Sequence, residues 1–165
     1  MPCLLQLLFG LLNIGKNKTL FFMKYILILF LSLFFISCNT QPEPLVAGKD
    51  VCTYCKMPVA EIKFGGEIIT AKGKIYKFDD LGCMINFIKS GTNSKEKVKD
   101  ILAVNYSDNQ ELLNVNEATF LISSNFHTPM NSGAVCFRSE KEAEKMVKDF
   151  PGNILSWHQL NQTLQ

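Results

Sequence analysis

Thirteen residues without a charge, 25–37 (YILILFLSLFFIS), follow Lys24 and end directly before Cys38. The run is too short for a spanning helix, which needs about 20 residues, and it suits the apolar core of a secretory signal. This one feature decides what the rest can be. The folded part has to be built from the residues after it, in an extracytoplasmic and oxidising setting.

Phe35 stands three residues before Cys38 and the small Ser37 directly before it. The junction resembles a bacterial lipobox, in which Cys38 receives lipid and becomes the mature N-terminus. Residues 1–37 then read as a signal peptide. Met23-Lys24 supplies its short basic start, so residues 1–22 read as an extension ahead of the true start, the other reading being a long N-terminus with a hairpin-like membrane segment. The expected address is a bacterial membrane, with the protein held by lipid on Cys38 and facing the periplasm, on the outer membrane.

From Cys38 to Gln165 there are 128 residues, enough for one compact domain or two small lobes with a shared core. Of 17 Lys and Arg, three (Lys16, Lys18, Lys24) precede Cys38, leaving 14 against 15 acids, a net charge of −1. Nothing in that balance recommends nucleic acid as a partner.

Residues 38–50 hold Pro42 and Pro44 among polar neighbours and read as a tether, with the domain spanning 51–165. Within it one pattern occurs twice, in units of about 51–115 and 116–165. In the first, residues 67–71 and 74–78 are β-rich and separated by a Lys72-Gly73 turn. Asp79 or Asp80 caps a helix whose Leu81, Met84, Ile85 and Ile88 form one apolar stripe, ended by Gly91. A basic linker and a strand at 101–105 follow. In the second, strands are expected at 118–122 and 134–137. Ser139 and Glu142 form a capping-box pattern, and Ala143, Met146, Val147 and Phe150 repeat the stripe. Residues 154–157 close the unit as a strand. The fold class is therefore α+β, two similar strand-strand-helix-strand units packed together to cover their apolar faces.

Cys52, Cys55, Cys83 and Cys136 remain for the domain, and four cysteines in this setting first suggest two disulfides. Three motifs offer other chemistry: Cys52-Thr53-Tyr54-Cys55-Lys56-Met57, Phe78-Asp79-Asp80-Leu81-Gly82-Cys83-Met84, and Thr128-Pro129-Met130. A Cys-x-x-Cys pair fits half a zinc site, a redox disulfide or a soft-metal site. Closed zinc sites need four ligands, and no second Cys-x-x-Cys is present. A thioredoxin-like site belongs at a helix start, whereas Pro58 follows Met57 and no helical stripe comes before Leu81. A thioether is neutral and soft, poor for Zn²⁺ and suited to Cu(I). An extended backbone would turn the sulfurs of Cys55 and Met57 the same way, and Pro129 stiffens the loop carrying Met130. One thiolate with two thioethers, Cys55, Met57 and Met130, makes a trigonal site of zero net charge around Cu(I). Ordinary core packing is the competing reading of each methionine.

In order and spacing, the three motifs, followed by Gly133 and Phe137, resemble the NosL family, lipoprotein copper chaperones that supply nitrous oxide reductase. The resemblance covers roughly residues 51–155. It implies two similar strand-strand-helix-strand units, a distant likeness to organomercurial lyases, Cu(I) binding without catalysis, and a copper enzyme as recipient, here nitrous oxide reductase. It also raises a supporting metal role for Cys83. The family usually has Gly where this chain has Lys56, which puts the loop geometry in question.

Cys52, Cys83 and His127 are further candidates at the metal. Asp79-Asp80 reads as a helix cap plus a solvated acid, Cys136 as core and His158 as surface. The run 95–99 (KEKVK) reads as a solvated loop or a patch for an acidic partner. Two other functions remain open: a thiol-disulfide redox protein using Cys52 and Cys55, and a general soft-metal-binding lipoprotein.

Overall fold

The computed structural model describes residues 22–27, 41–91 and 96–164. The lipobox with Cys38, most of the apolar run and Lys95 lie outside them. Residues 22–27 are helical, and among the described residues no helix is long and apolar enough to cross a membrane. The chain divides after Cys38 into two units, and the second, Asn39–Gln165, carries the fold.

Seven strands join in one mixed sheet: β1 (Gly66–Thr70), β2 (Ile75–Phe78), β3 (Val98–Asn105), β4 (Asp108–Asn114), β5 (Thr119–Ile122), β6 (Ala134–Phe137) and β7 (Asn153–Leu155). Their spatial order is β2-β1-β3-β6-β5-β7, with β4 paired to β3. Every pairing is antiparallel except β3 with β6, which meet in parallel at Asn105 and Cys136. Helices α1 (Leu81–Lys89), α2 (Glu140–Val147) and α3 (Trp157–Thr163) and a 3-10 turn (Ile62–Phe64) complete the unit.

Local chemistry explains most of these boundaries. Gly73, at φ +85°, closes the expected β1–β2 hairpin by donating to the Thr70 carbonyl at 2.9 Å. Asp80 caps α1, its Oδ1 accepting from the Gly82 N–H at 2.6 Å. The predicted stripe faces inward, with Leu81, Met84 and Ile85 buried and Ile88 half-buried. Gly66 lets α1 lie close on β1, since a Cβ there would stand 3.2 Å from the Met84 sulfur. Ser139 caps α2 by accepting from the Glu142 N–H at 3.4 Å. The expected box is only half formed, because Glu142 Oε2 is buried without a hydrogen-bond partner.

The α+β class holds as one mixed sheet with helices. Two separately packed units are not what is seen: the first three strands and the last three share one sheet and one core. Phe78, Met84 and Ile85 pack in the same cluster as Phe120, Ala134 and Leu160, and this shared burial covers the faces expected to need a partner unit. A second cluster of Phe64, Leu121, Phe126, Val135 and Phe137 lies under α2. Three elements differ from expectation. β4 is absent from the sequence reading, residues 98–100 belong to β3 rather than a linker, and the chain after β7 turns at Ser156 into α3, with Trp157 in the helix. The segment expected as a tether is docked from Leu45 onward, where Leu45 is buried against Val59 and Val104.

Candidate metal centre

The Cys-x-x-Cys motif folds as a tight loop closed by an antiparallel bridge between Val51 and Pro58. Inside it the Cys52 N–H donates to the Met57 carbonyl at 2.8 Å, and the Lys56 N–H to the Cys52 carbonyl at 3.1 Å. The Thr53 N–H bonds the Lys77 carbonyl at 2.8 Å, which pins the loop to β2. Lys56 sits at φ +65°, in the left-handed region that glycine occupies most easily. Its Nζ returns to the Thr53 carbonyl at 2.5 Å, so the lysine closes the turn that its backbone strains. The extended backbone expected between Cys55 and Met57 is therefore replaced by a turn.

This loop presents one thiol inward and one toward the surface. Cys52 is fully buried, Cys55 half-buried. Across from them stands the start of α1. Cys55 Sγ donates to the Asp79 carboxylate, 3.5 Å from Oδ2 and 3.6 Å from Oδ1. Cys83, in the first turn of α1, is buried. The donor atoms of Cys52, Cys55, Asp79 and Cys83 all lie within 4.8 Å of one another.

The three thiols are electrostatically unequal. Cys52 is lowered to about 6, chiefly by a hydrogen bond with Cys83; burial and Asp79 oppose this, and the N–H groups of Asp79 and Cys55 assist. Cys83 is driven far up by the same hydrogen bond and by burial. Cys55 is raised, mainly by burial, against a bond from the Met57 N–H.

The third motif reaches the same end of α1. The Asn131 N–H bonds the Thr128 carbonyl at 2.9 Å, and the Gly133 N–H bonds Thr128 Oγ1 at 3.1 Å, which shapes a tight loop. The Met130 N–H donates to Asp80 Oδ2 at 3.0 Å. Gly82 makes the approach possible, because a Cβ there would lie 2.9 Å from the Ser132 Cβ. Neighbouring aspartates therefore hold the two loops: Asp79 meets Cys55, and Asp80 holds the backbone of Met130.

Of the sequence candidates, Cys55, Cys52 and Cys83 gather in one cluster. Met57 and Met130 stand nearly half exposed, at 46% and 45%, on loops that converge on α1. His127 is exposed and lies outside the four-donor group. Cys136 is buried, as expected for core, and burial pushes its thiol up. The four domain cysteines are free thiols. Asp79 corrects the sequence reading: it is fully buried and faces Cys55, not solvent. A second acid directly before the capping aspartate, four residues ahead of a cysteine, was the available signal.

Three sulfurs and one carboxylate within a few ångströms form a donor set for a thiophilic ion. No curated protein is similar enough in sequence to match this chain. Among solved structures, the copper chaperone NosL from Shewanella denitrificans superimposes with a TM-score of 0.59 at 16% identity, over 76% of this chain and 98% of that one. The sequence profile described as NosL matches residues 45–165, and the chain belongs to the NosL family.

Proposed function

We propose that this protein is a non-enzymatic Cu(I) chaperone, anchored by lipid on Cys38 and facing the periplasm from the outer membrane. Its ligands for hand-over are Cys55, Met57 and Met130, and its recipient is an extracytoplasmic copper enzyme, nitrous oxide reductase. The observation that carries this reading is the convergence of all three motifs on the start of α1, with Cys55 the one thiol of its cluster open to the surface. The exposed thioethers of Met57 and Met130 favour a soft monovalent ion over Zn²⁺. A three-coordinate site open on one side lets a partner's sulfur bind before the first ligands leave, so no free ion forms. The two strand-strand-helix-strand runs are, on the same reading, related units fused along one sheet.

Titration of reduced protein with Cu(I) and Zn²⁺ against competing chelators tests the cargo. One Cu(I) per chain with weak Zn²⁺ binding is expected, and tight Zn²⁺ with weak Cu(I) overturns the reading. The anchor is tested by mass spectrometry, which should find diacylglyceryl-cysteine at residue 38, with Cys38→Ser left unprocessed. An unlipidated N-terminus near residue 40 would make this an ordinary secreted protein.

The redox alternative meets a specific obstacle. Cys55 is accessible, but its partner Cys52 is fully buried, and the motif sits in a loop rather than at a helix start, where a dipole would activate a thiol. A general soft-metal lipoprotein would share the cluster and differ only in the recipient.

A further inference from the structure

We propose that Cys52 and Cys83 join Cys55 in an inner coordination set for the same Cu(I), so that one ion has two stations sharing the Cys55 sulfur. This rests on the copper reading above and goes beyond it in assigning the buried thiols. The outer station is Cys55, Met57 and Met130. The inner station is Cys52, Cys55 and Cys83, with Asp79 beside them.

Geometry is the first argument. A trigonal ion with metal–sulfur bonds of about 2.3 Å needs its sulfurs about 4 Å apart. The inner sulfurs fall within the 4.8 Å envelope, so small side-chain rotations suffice to close on an ion. Burial is the second argument. Cys52 and Cys83 are 0% and 1% exposed, against 46% and 45% for the two methionines. Water and competing ligands therefore reach the inner station with difficulty and the outer one freely. The third argument is support for negative charge in a dry place. The cluster lies at the N-terminus of the nine-residue α1, where the helix dipole favours negative charge. None of these features would be needed by a thiol that only fills space.

Movement between stations is ligand exchange without oxidation. The Cys55–copper bond persists, the bonds to Cys52 and Cys83 break, and bonds to Met57 and Met130 form. Copper stays Cu(I) throughout, and the released thiolates take protons from water. Retention and delivery are thereby assigned to different sulfurs.

The test uses the full chain in detergent, loaded anaerobically with Cu(I) alone. X-ray absorption on the unaltered protein should show thiolate sulfurs beyond the one that Cys55 supplies. Cys83→Ser and Cys83→Ala should each speed copper release to excess chelator at least tenfold and weaken the thiolate-to-copper absorption per ion. Met57→Leu with Met130→Leu should retain copper yet slow its transfer to an acceptor thiol. An unaltered protein showing one thiolate and two thioethers overturns the inner station and leaves the chaperone reading standing. So do folded Cys83 variants with unchanged release. If the unaltered protein takes up no Cu(I), the functional reading fails, and this inference fails with it.

Discussion

The first three strands with α1 and the last three with α2 occupy matching places in the sheet but differ in what they bury. The first set encloses Glu67, Thr70, Asp79, Asp80 and Asn105, whereas the second buries the uncharged Ser123 and Thr128, in the loop between an apolar β5 and β6. The helices differ in the same sense. Six of the nine residues of α1 are buried, but only Ala143 of α2. Buried polar groups cost stability unless each finds a partner, so a fold tolerates them where they serve a purpose. The comparison teaches that chemistry is concentrated in one set of strands while the other supplies the apolar mass that tolerates it.

The sharpest way to break this contrast is at the two helix caps. Asp80→Ala removes a buried carboxylate that caps α1 through Gly82 and holds the backbone of Met130. A loss of about 2–4 kcal/mol is expected in denaturant unfolding, together with slower Cu(I) transfer to an acceptor thiol. Unchanged transfer in a folded variant would detach the third loop from the site.

Glu67 offers a test without metal. Its Oε2 is buried without a partner, and Oε1 accepts only the Glu43 N–H at 3.2 Å. Burial raises its pKa from 4.5 to about 7, with the Glu43 N–H and Lys77 opposing and the charges of Glu43 and Asp50 adding to the rise. The folded state thus holds a proton that the unfolded state has lost, and stability falls as pH climbs from about 4.5 to 7. Glu67→Gln should flatten that fall and stabilise the protein at pH 8 by on the order of 1–3 kcal/mol, read from unfolding curves across pH. Parallel curves for both proteins would refute the assignment.

Ser139→Ala is the counterpart on α2. Loss of its single cap bond should cost about 1 kcal/mol, and copper affinity should not move. A shift in affinity would mean the second set reaches the metal through more than its Met130 loop. The smallest effect is expected for Lys56→Gly, which relieves the φ of +65° but loses the bond to Thr53. A change within about 1 kcal/mol is predicted, since the two consequences oppose each other.

These regions were unequally legible in the sequence. The stripes of α1 and α2 could be read because apolar residues recur at helical spacing, and the Lys72-Gly73 hairpin because its turn chemistry is local. β4 escaped because Asp108, Asn109 and Gln110 are exposed and carry no strand alternation. α3 escaped because it buries little beyond Leu160 and is announced mainly by the Ser156–Gln159 capping box. For the site, the three motifs and their sulfurs were visible, but their adjacency was not. Cys55 meets Asp79 across 24 positions, and Met130 meets Asp80 across 50. Such contacts are set by strand order, which no local pattern encodes. Asp79 differs in degree, because its place directly before the capping Asp80 and four residues ahead of Cys83 is a local signal, while its contact with Cys55 is not.

One seam in the sheet has a mechanical meaning. The two strand sets meet at Asn105 and Cys136, with the Tyr106 N–H donating to the Cys136 carbonyl at 2.8 Å, rather than along a full ladder. Cys55 and Asp79 belong to one side of that seam, whereas Met130 rides on the loop between β5 and β6, on the other. The ligands proposed for delivery therefore come from both strand sets, clasped together where the Met130 N–H bonds Asp80 Oδ2.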